Sequence, residues 1–394
     1  MKAAQCTMSS KWLRLPDDQQ FSNNIVAFIM SEKKENEDLH YDTYLRLDSF
    51  LECQIPQSLK LGGQLVHDEH LFITTHQAFE LWFKQILVEI DSVREMFHHE
   101  FEVVESKMLY IVRRLGRVAA IFKLIIEQFH ILETMTPIDY MDFRYYLKPA
   151  SGFQSLQFRC LENKLGVVED LRRYKDAYKD EFIDEKSKTI LAESINSPSL
   201  ADLVEKWLEN IPVLNDHGFD ILQSYKNAFL KWTKDTILDP AMNERDAKRK
   251  EKMMTEYNKQ ADIIDVMFED VDKKTEHRRM SSKALTGALM ISLYREEPRF
   301  NQPFQMLTLL KEVDSLMAKW RDTHVSMVHR MIGQKPGVGY CSSGYLYLRS
   351  TCSDNYAIFP DLINMPTYLM PRVYYPQLPE TLKQKLAFAH NSQT

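Results

Sequence analysis

The stretch His67 to Val93, HDEHLFITTHQAFELWFKQILVEIDSV, decides the fold. Phe72, His76, Phe79 and Phe83 follow one another at spacings of four, three and four, the period of one helix face. Leu71, Ala78, Trp82, Ile86 and Ile90 cover a second face. A helix apolar on most sides belongs in the middle of a bundle. Asp68 and Glu69 suit the positive end of the helix dipole at its start. His76 stands between two phenylalanines, each one turn away. It reads either as a core histidine satisfied by a hydrogen bond or as a polar group aimed into an aromatic pocket.

Composition extends the helical reading to the whole chain. Only 11 of 394 residues are glycine, while Leu, Lys, Glu, Met and Gln abound, the bias of an all-α protein. A net charge of -6 gives no electrostatic reason to expect a nucleic acid partner. Met1 to Lys34 has no continuous apolar core, and Val118 to Ile126, the longest apolar run, carries Lys123 and is too short for a bilayer. Five scattered cysteines without C-x-x-C pairs read as reduced thiols. The expectation is a cytoplasmic protein with no membrane partner.

Residues 1–38 read as a mobile N-terminal segment ending in the charged run SEKKENED. Residues 39–375 read as one all-α domain with a charged helical insertion over about 200–275, and 376–394 as an extended tail. Tyr41, Tyr44 and Leu45 lie on a short amphipathic helix. A second long helix is expected from Glu102 to Thr134, and Ser151 is expected to cap the helix that follows it. Pro298 and Pro303 are read as closing one segment before a long helix from Phe304 to Met331. That helix carries His324 and His329. Five residues at about 100° each set these about 140° apart, so only one can face a given site. His324, one turn after Trp320, is read as the inward one. Gln334 to Tyr356 is rich in Gly, Ser and Tyr and reads as a ligand-covering loop.

No phosphate loop, nucleophile elbow, dinucleotide fingerprint or HExxH pair occurs. His67 and His70 read as helix-start residues rather than metal ligands. What remains is two inward histidines on separate long helices, an aromatic cage, Arg144 and Ser151. A buried imidazole in a helical bundle suits axial ligation of haem iron, and the fork of Arg144 suits a carboxylate.

Five stretches, HDEHLFITTHQAFELWFKQI, FRYYLKPASGFQSLQFR, ALTGALMISLYREEPRF, KWRDTHVSMVHRMIG and SSGYLYLRST, resemble the tryptophan 2,3-dioxygenase family, in order from about Tyr41 to Pro371. The resemblance implies an all-α helical bundle of the tryptophan/indoleamine dioxygenase kind, with one ferrous haem b per subunit. It also implies cleavage of the indole C2–C3 bond of L-tryptophan by O2, giving N-formyl-L-kynurenine as the first step of the kynurenine pathway. A homotetramer is implied, a dimer of dimers whose N-terminal segments reach into neighbouring pockets. Matched position by position, His324 is the iron ligand, with Trp320 and Ser151 beside the haem. His76 binds the indole N–H, and Phe72 packs the ring together with Tyr41, Tyr44 and Leu45 of a neighbour. Arg144 binds the carboxylate.

One segment departs from the family pattern Gly-Thr-Gly-Gly-Ser-Ser-Gly. Here it reads Gly337-Val338-Gly339-Tyr340-Cys341-Ser342-Ser343-Gly344, with valine where the family threonine holds the substrate ammonium. Valine keeps the shape and lacks the hydroxyl, a loss on the order of 1–3 kcal/mol of substrate binding. The alternative expectation is therefore a haem-binding paralogue, a sensor or scaffold with weakened or altered specificity.

Overall fold

The computed structural model describes residues 39–99, 101–172, 182, 184–211, 220–267, 278–337 and 344–387. Among them every regular element is helical. The chain separates into two compact units, Met1–Ile55 and Pro56–Thr394.

The first unit holds α1 (Tyr41–Leu45) and α2 (Leu47–Phe50). The expected single helix is broken at Arg46, which takes the left-handed conformation at φ 54°. Tyr41, Tyr44 and Leu45 are all exposed on α1.

The second unit begins with α3 (Gln57–Gly62) and α4 (His67–Phe97), the helix read from the opening stretch. Glu69 in its first turn is fully buried and accepts the backbone N–H groups of Gln57 at 2.7 Å and Ser58 at 2.9 Å. It thereby satisfies the open N-terminus of α3. The face carrying Phe79, Phe83, Ile86 and Ile90 is buried, as expected. The helix is not encased all round, however. Leu81 and Val88 are exposed, and Ala78, Trp82 and Gln85 line a groove of about 570 Å³ with Arg117 and Ile121.

The second long helix is segmented into α5 (Phe101–Ser106), α6 (Met108–Glu127) and α7 (Phe129–Leu132). Lys107 and Gln128 at the breaks keep right-handed backbone angles, so the segments follow one course. Gln128 turns its side-chain amide to the Thr75 carbonyl at 2.8 Å and so fastens this break to α4. Then come α8 (Pro137–Arg144), a short 3-10 turn at Gly152–Gln154 and α9 (Leu156–Leu165). Ser151 caps the 3-10 turn, and Ser155 caps α9 by accepting from the Phe158 N–H at 3.2 Å.

The charged region forms α10 (Glu185–Asn196), α11 (Leu200–Glu209), α12 (Ile221–Thr233), α13 (Asp239–Met242) and α14 (Ala247–Met267). Leu203, Trp207, Tyr225 and Phe229 from it join the same apolar core as α4. α15 (Ser282–Leu293) is buried on nearly every side and packs on α11. Gly287 makes this possible, because a Cβ there would collide with the Leu208 carbonyl and lie 3.1 Å from the Ile211 side chain.

α16 (Pro298–Ile332) begins earlier than expected. Pro298 and Pro303 lie within it rather than closing a segment before it. Proline at the first helical position forfeits an N–H that has no helical partner there, so Pro298 starts the helix at no cost in bonds. Pro303 forfeits one bond and offsets it by burial. α16 lies along α6, α6 along α4, and α9 against α4. After α17 (Gly344–Ser350) comes α18 (Pro360–Asn364), and the expected extended tail carries instead a helix, α19 (Glu380–Leu386). Leu378, Leu382 and Leu386 hold it to the core.

Gly287→Ala should cost about 1–3 kcal/mol, since a backbone carbonyl cannot move aside as a side chain can. The check is a lower urea midpoint with an unchanged slope; a midpoint equal to wild type would contradict the close packing of α11 and α15.

Candidate active site

His76 projects from α4 with its Nδ1 2.7 Å from the Phe72 carbonyl. A carbonyl only accepts, so Nδ1 carries the proton and Nε2 keeps its lone pair. The ring is enclosed by protein and still presents accessible surface, the signature of a group on a cavity wall. Burial holds its pKa below the ordinary value, partly opposed by the bond to Phe72 and by Glu80.

His324 occupies the other side of one continuous set of rings. His76 meets Phe79 at 6.4 Å, Phe79 meets Phe129 at 5.0 Å, and Phe129 stacks on His324 at 5.9 Å. Trp320, one turn before His324, lies 5.2 Å from it and touches Phe79, Phe83, Phe129 and Phe158 as well. Its buried indole N–H has no hydrogen-bond partner among the described residues. Burial pushes the His324 pKa down to about 4, with His76 and Arg159 adding to the effect. The imidazole is therefore neutral at physiological pH. His329 faces away as expected and stacks on Tyr345 at 4.2 Å.

Phe72 joins this cavity to α8. Its ring lies 4.0 Å from His76, 5.5 Å from Phe143 and 5.8 Å from Tyr140. Arg144, in the last turn of α8, donates to the Pro336 carbonyl and also supports the Tyr140 hydroxyl. Burial keeps that hydroxyl protonated, so it remains a donor. Ser151 is half-buried and accepts from the Phe153 N–H at 3.3 Å. Its tie to the rings runs through Arg159, whose guanidinium lies 5.5 Å from both Phe153 and Phe158. On α9, Glu162 is buried at 2.7 Å from Arg159 and 3.0 Å from Arg321. Burial alone would raise its pKa, and Arg159, Arg172 and Arg321 together hold it low.

The structure thus brings Phe72, His76, Arg144, Trp320 and His324 into one neighbourhood. Tyr41, Tyr44 and Leu45 belong to the first unit, and Val338 and Tyr340 lie outside the described residues. Among the described residues no group of three His, Cys, Asp or Glu side chains gathers as a metal cluster. Sequence reading missed Tyr140, although its four-residue distance from Arg144 places both on one helix face. It also missed Phe129 and Phe158, whose contacts with Trp320 are long-range and leave no local signal.

The two histidines link stability to pH. Both have folded pKa values below the unfolded value of 6.5, so as pH falls below it the unfolded chain binds more protons, for His324 down to about pH 4. Stability therefore falls as pH falls through that window, by up to about 1.4 kcal/mol per pH unit from His324. In protein free of bound ligands, His324→Gln should show a shallower decline of the urea midpoint between pH 6.5 and 5 than wild type; equal slopes would contradict the desolvation of His324.

The family model described as tryptophan 2,3-dioxygenase matches residues 30–369. Tryptophan 2,3-dioxygenase B of Danio rerio is 50% identical over 349 residues, covering 86% of this chain and 84% of the relative. Tryptophan 2,3-dioxygenases of Xenopus laevis and Rattus norvegicus are 51% and 48% identical over 348 residues, with the same coverage. Matched along most of its length and about half-identical to these enzymes, the chain belongs to the tryptophan 2,3-dioxygenase family, the dioxygenases that cleave tryptophan.

Proposed function

We propose that the chain holds one haem b through His324 and, with O2, converts L-tryptophan to N-formyl-L-kynurenine, the entry into tryptophan catabolism through kynurenine. The observation that carries the site assignment is the pair of neutral imidazoles in one aromatic enclosure, with a guanidinium beyond the second ring of its wall. The donor set fits the cofactor. His324 is a neutral imidazole with no hydrogen bond to either nitrogen among the described residues, which is the state that ligates iron. The partnerless Trp320 N–H offers a donor beside it. Ser151, capping the turn before α9, is assigned to the haem edge. The degree of likeness to the relatives does not favour a paralogue without turnover.

Ferrous haem, when bound, supplies the activation of dioxygen. The protein supplies position. Phe72 offers a face for the indole ring, and Nε2 of His76 accepts the indole N–H. Arg144 binds the carboxylate as a fork, and the Tyr140 hydroxyl adds a second donor. Both oxygen atoms enter the product, so no external electrons are needed. His76 orients and polarises the N–H without acting as a strong base, in keeping with its lowered pKa.

The assembly we propose is a cytoplasmic homotetramer with exchanged N-terminal segments. The exposed apolar groove along α4 and α6 supports contact between copies, and the exposed Tyr41, Tyr44 and Leu45 support packing into a neighbour's pocket. Cys160 and Cys352 are free thiols among the described residues, in keeping with a reducing compartment. No described helix is long and apolar enough to cross a membrane.

Reduced, haem-loaded protein given tryptophan and O2 should accumulate N-formylkynurenine absorbance, and none would overturn the reading. In the same assay Arg144→Ala should raise KM roughly ten- to a hundredfold with haem content unchanged. Parallel loss of haem would contradict the carboxylate role.

A further inference from the structure

Glu80 follows His76 by four residues on α4, so the two side chains share a face with Cβ atoms about 5–6 Å apart. Its carboxylate is clamped. Ser155 Oγ donates to one oxygen at 2.6 Å, and Gln157 Nε2 donates to the other at 2.9 Å. The same amide also reaches the Glu80 backbone carbonyl at 2.7 Å. Ser155 is the N-cap of α9, so the carboxylate also meets the positive end of that helix. α9 starts directly after the turn that Ser151 caps, and it sets Phe158 4.8 Å from Trp320.

We propose that Glu80 is a positioning residue for His76: its clamped carboxylate strengthens Nε2 as acceptor of the indole N–H and ties the Ser151 turn to the His76 helix. This rests on the role given to His76 above. The elements packed around His76 carry Asp139, Tyr140, Asp142 and Arg144 on α8, Arg159 and Glu162 on α9 and His324 on α16, besides Glu80 on its own helix. Of these carboxylates Glu80 is the one whose charge acts on the His76 imidazole, opposing the effect of burial. Gln157 and Ser155 are its reason for staying in place, since a free glutamate at this position would swing toward water.

The test is L-tryptophan affinity as a function of pH in haem-loaded wild type, Glu80→Gln and His76→Ala. Protonation of Nε2 removes its lone pair, so wild type should lose affinity as pH falls. Glutamine keeps an oxygen for Ser155 and removes the charge. Glu80→Gln should therefore move the acid limb down by about half a unit to one unit and weaken neutral-pH binding about two- to fivefold. His76→Ala should have no such limb. A limb at the wild-type pH in Glu80→Gln, or one that survives in His76→Ala, overturns the proposal. Wild type that binds no tryptophan at any pH refutes the functional reading itself, and the proposal with it.

Discussion

Keeping two imidazole rings on one cavity wall uncharged is the constraint on which the other features of the site depend. A protonated imidazole is penalised by burial, and here the larger part of the penalty comes from Phe79, Phe129 and Trp320, with the Arg159 charge adding to it at His324. The result is a pair of neutral bases whose lone pairs are not consumed by the protein. For His76 the Phe72 carbonyl goes further and selects which nitrogen keeps its lone pair. One backbone bond, available because Phe72 sits one turn earlier on the same helix, therefore decides that the cavity is offered an acceptor.

Holding two rings across a cavity requires walls that do not yield, and α4, α6 and α16 provide them through pairwise contact along their lengths. Buried charge fixes their register. Glu162 joins α9 to α16 through Arg321, while Asp314 on α16 accepts the Ile358 and Phe359 N–H groups at 3.0 and 2.8 Å. Such networks contribute little net stability against a well-packed apolar alternative, and they penalise misalignment heavily. The C-terminal segment is in this way part of the scaffold behind His324.

Much of this was legible in the sequence because helical periodicity is local. The spacing of Phe72, His76, Phe79 and Phe83 located the inward face, and the angle between His324 and His329 excluded one of them. The breaks at Arg46, Lys107 and Gln128 were not legible, since none is marked by proline or glycine. Pro303 misled in the opposite direction, because burial outweighed one lost hydrogen bond. Ser151 and Ser155 both carry the right side chain for a cap, and the intervening 3-10 turn decides that Ser155 serves α9. The clamp on Glu80 spans more than seventy residues and leaves no trace in local pattern.

His324 is the imidazole proposed to hold the iron. The most direct measurement is the absorption spectrum of haem-reconstituted His324→Gly before and after imidazole is added. The substitution should abolish the spectrum of histidine-ligated ferrous haem, and free imidazole, entering the space left by the side chain, should restore it. A His324→Gly protein with an unaltered haem spectrum would contradict that role for His324.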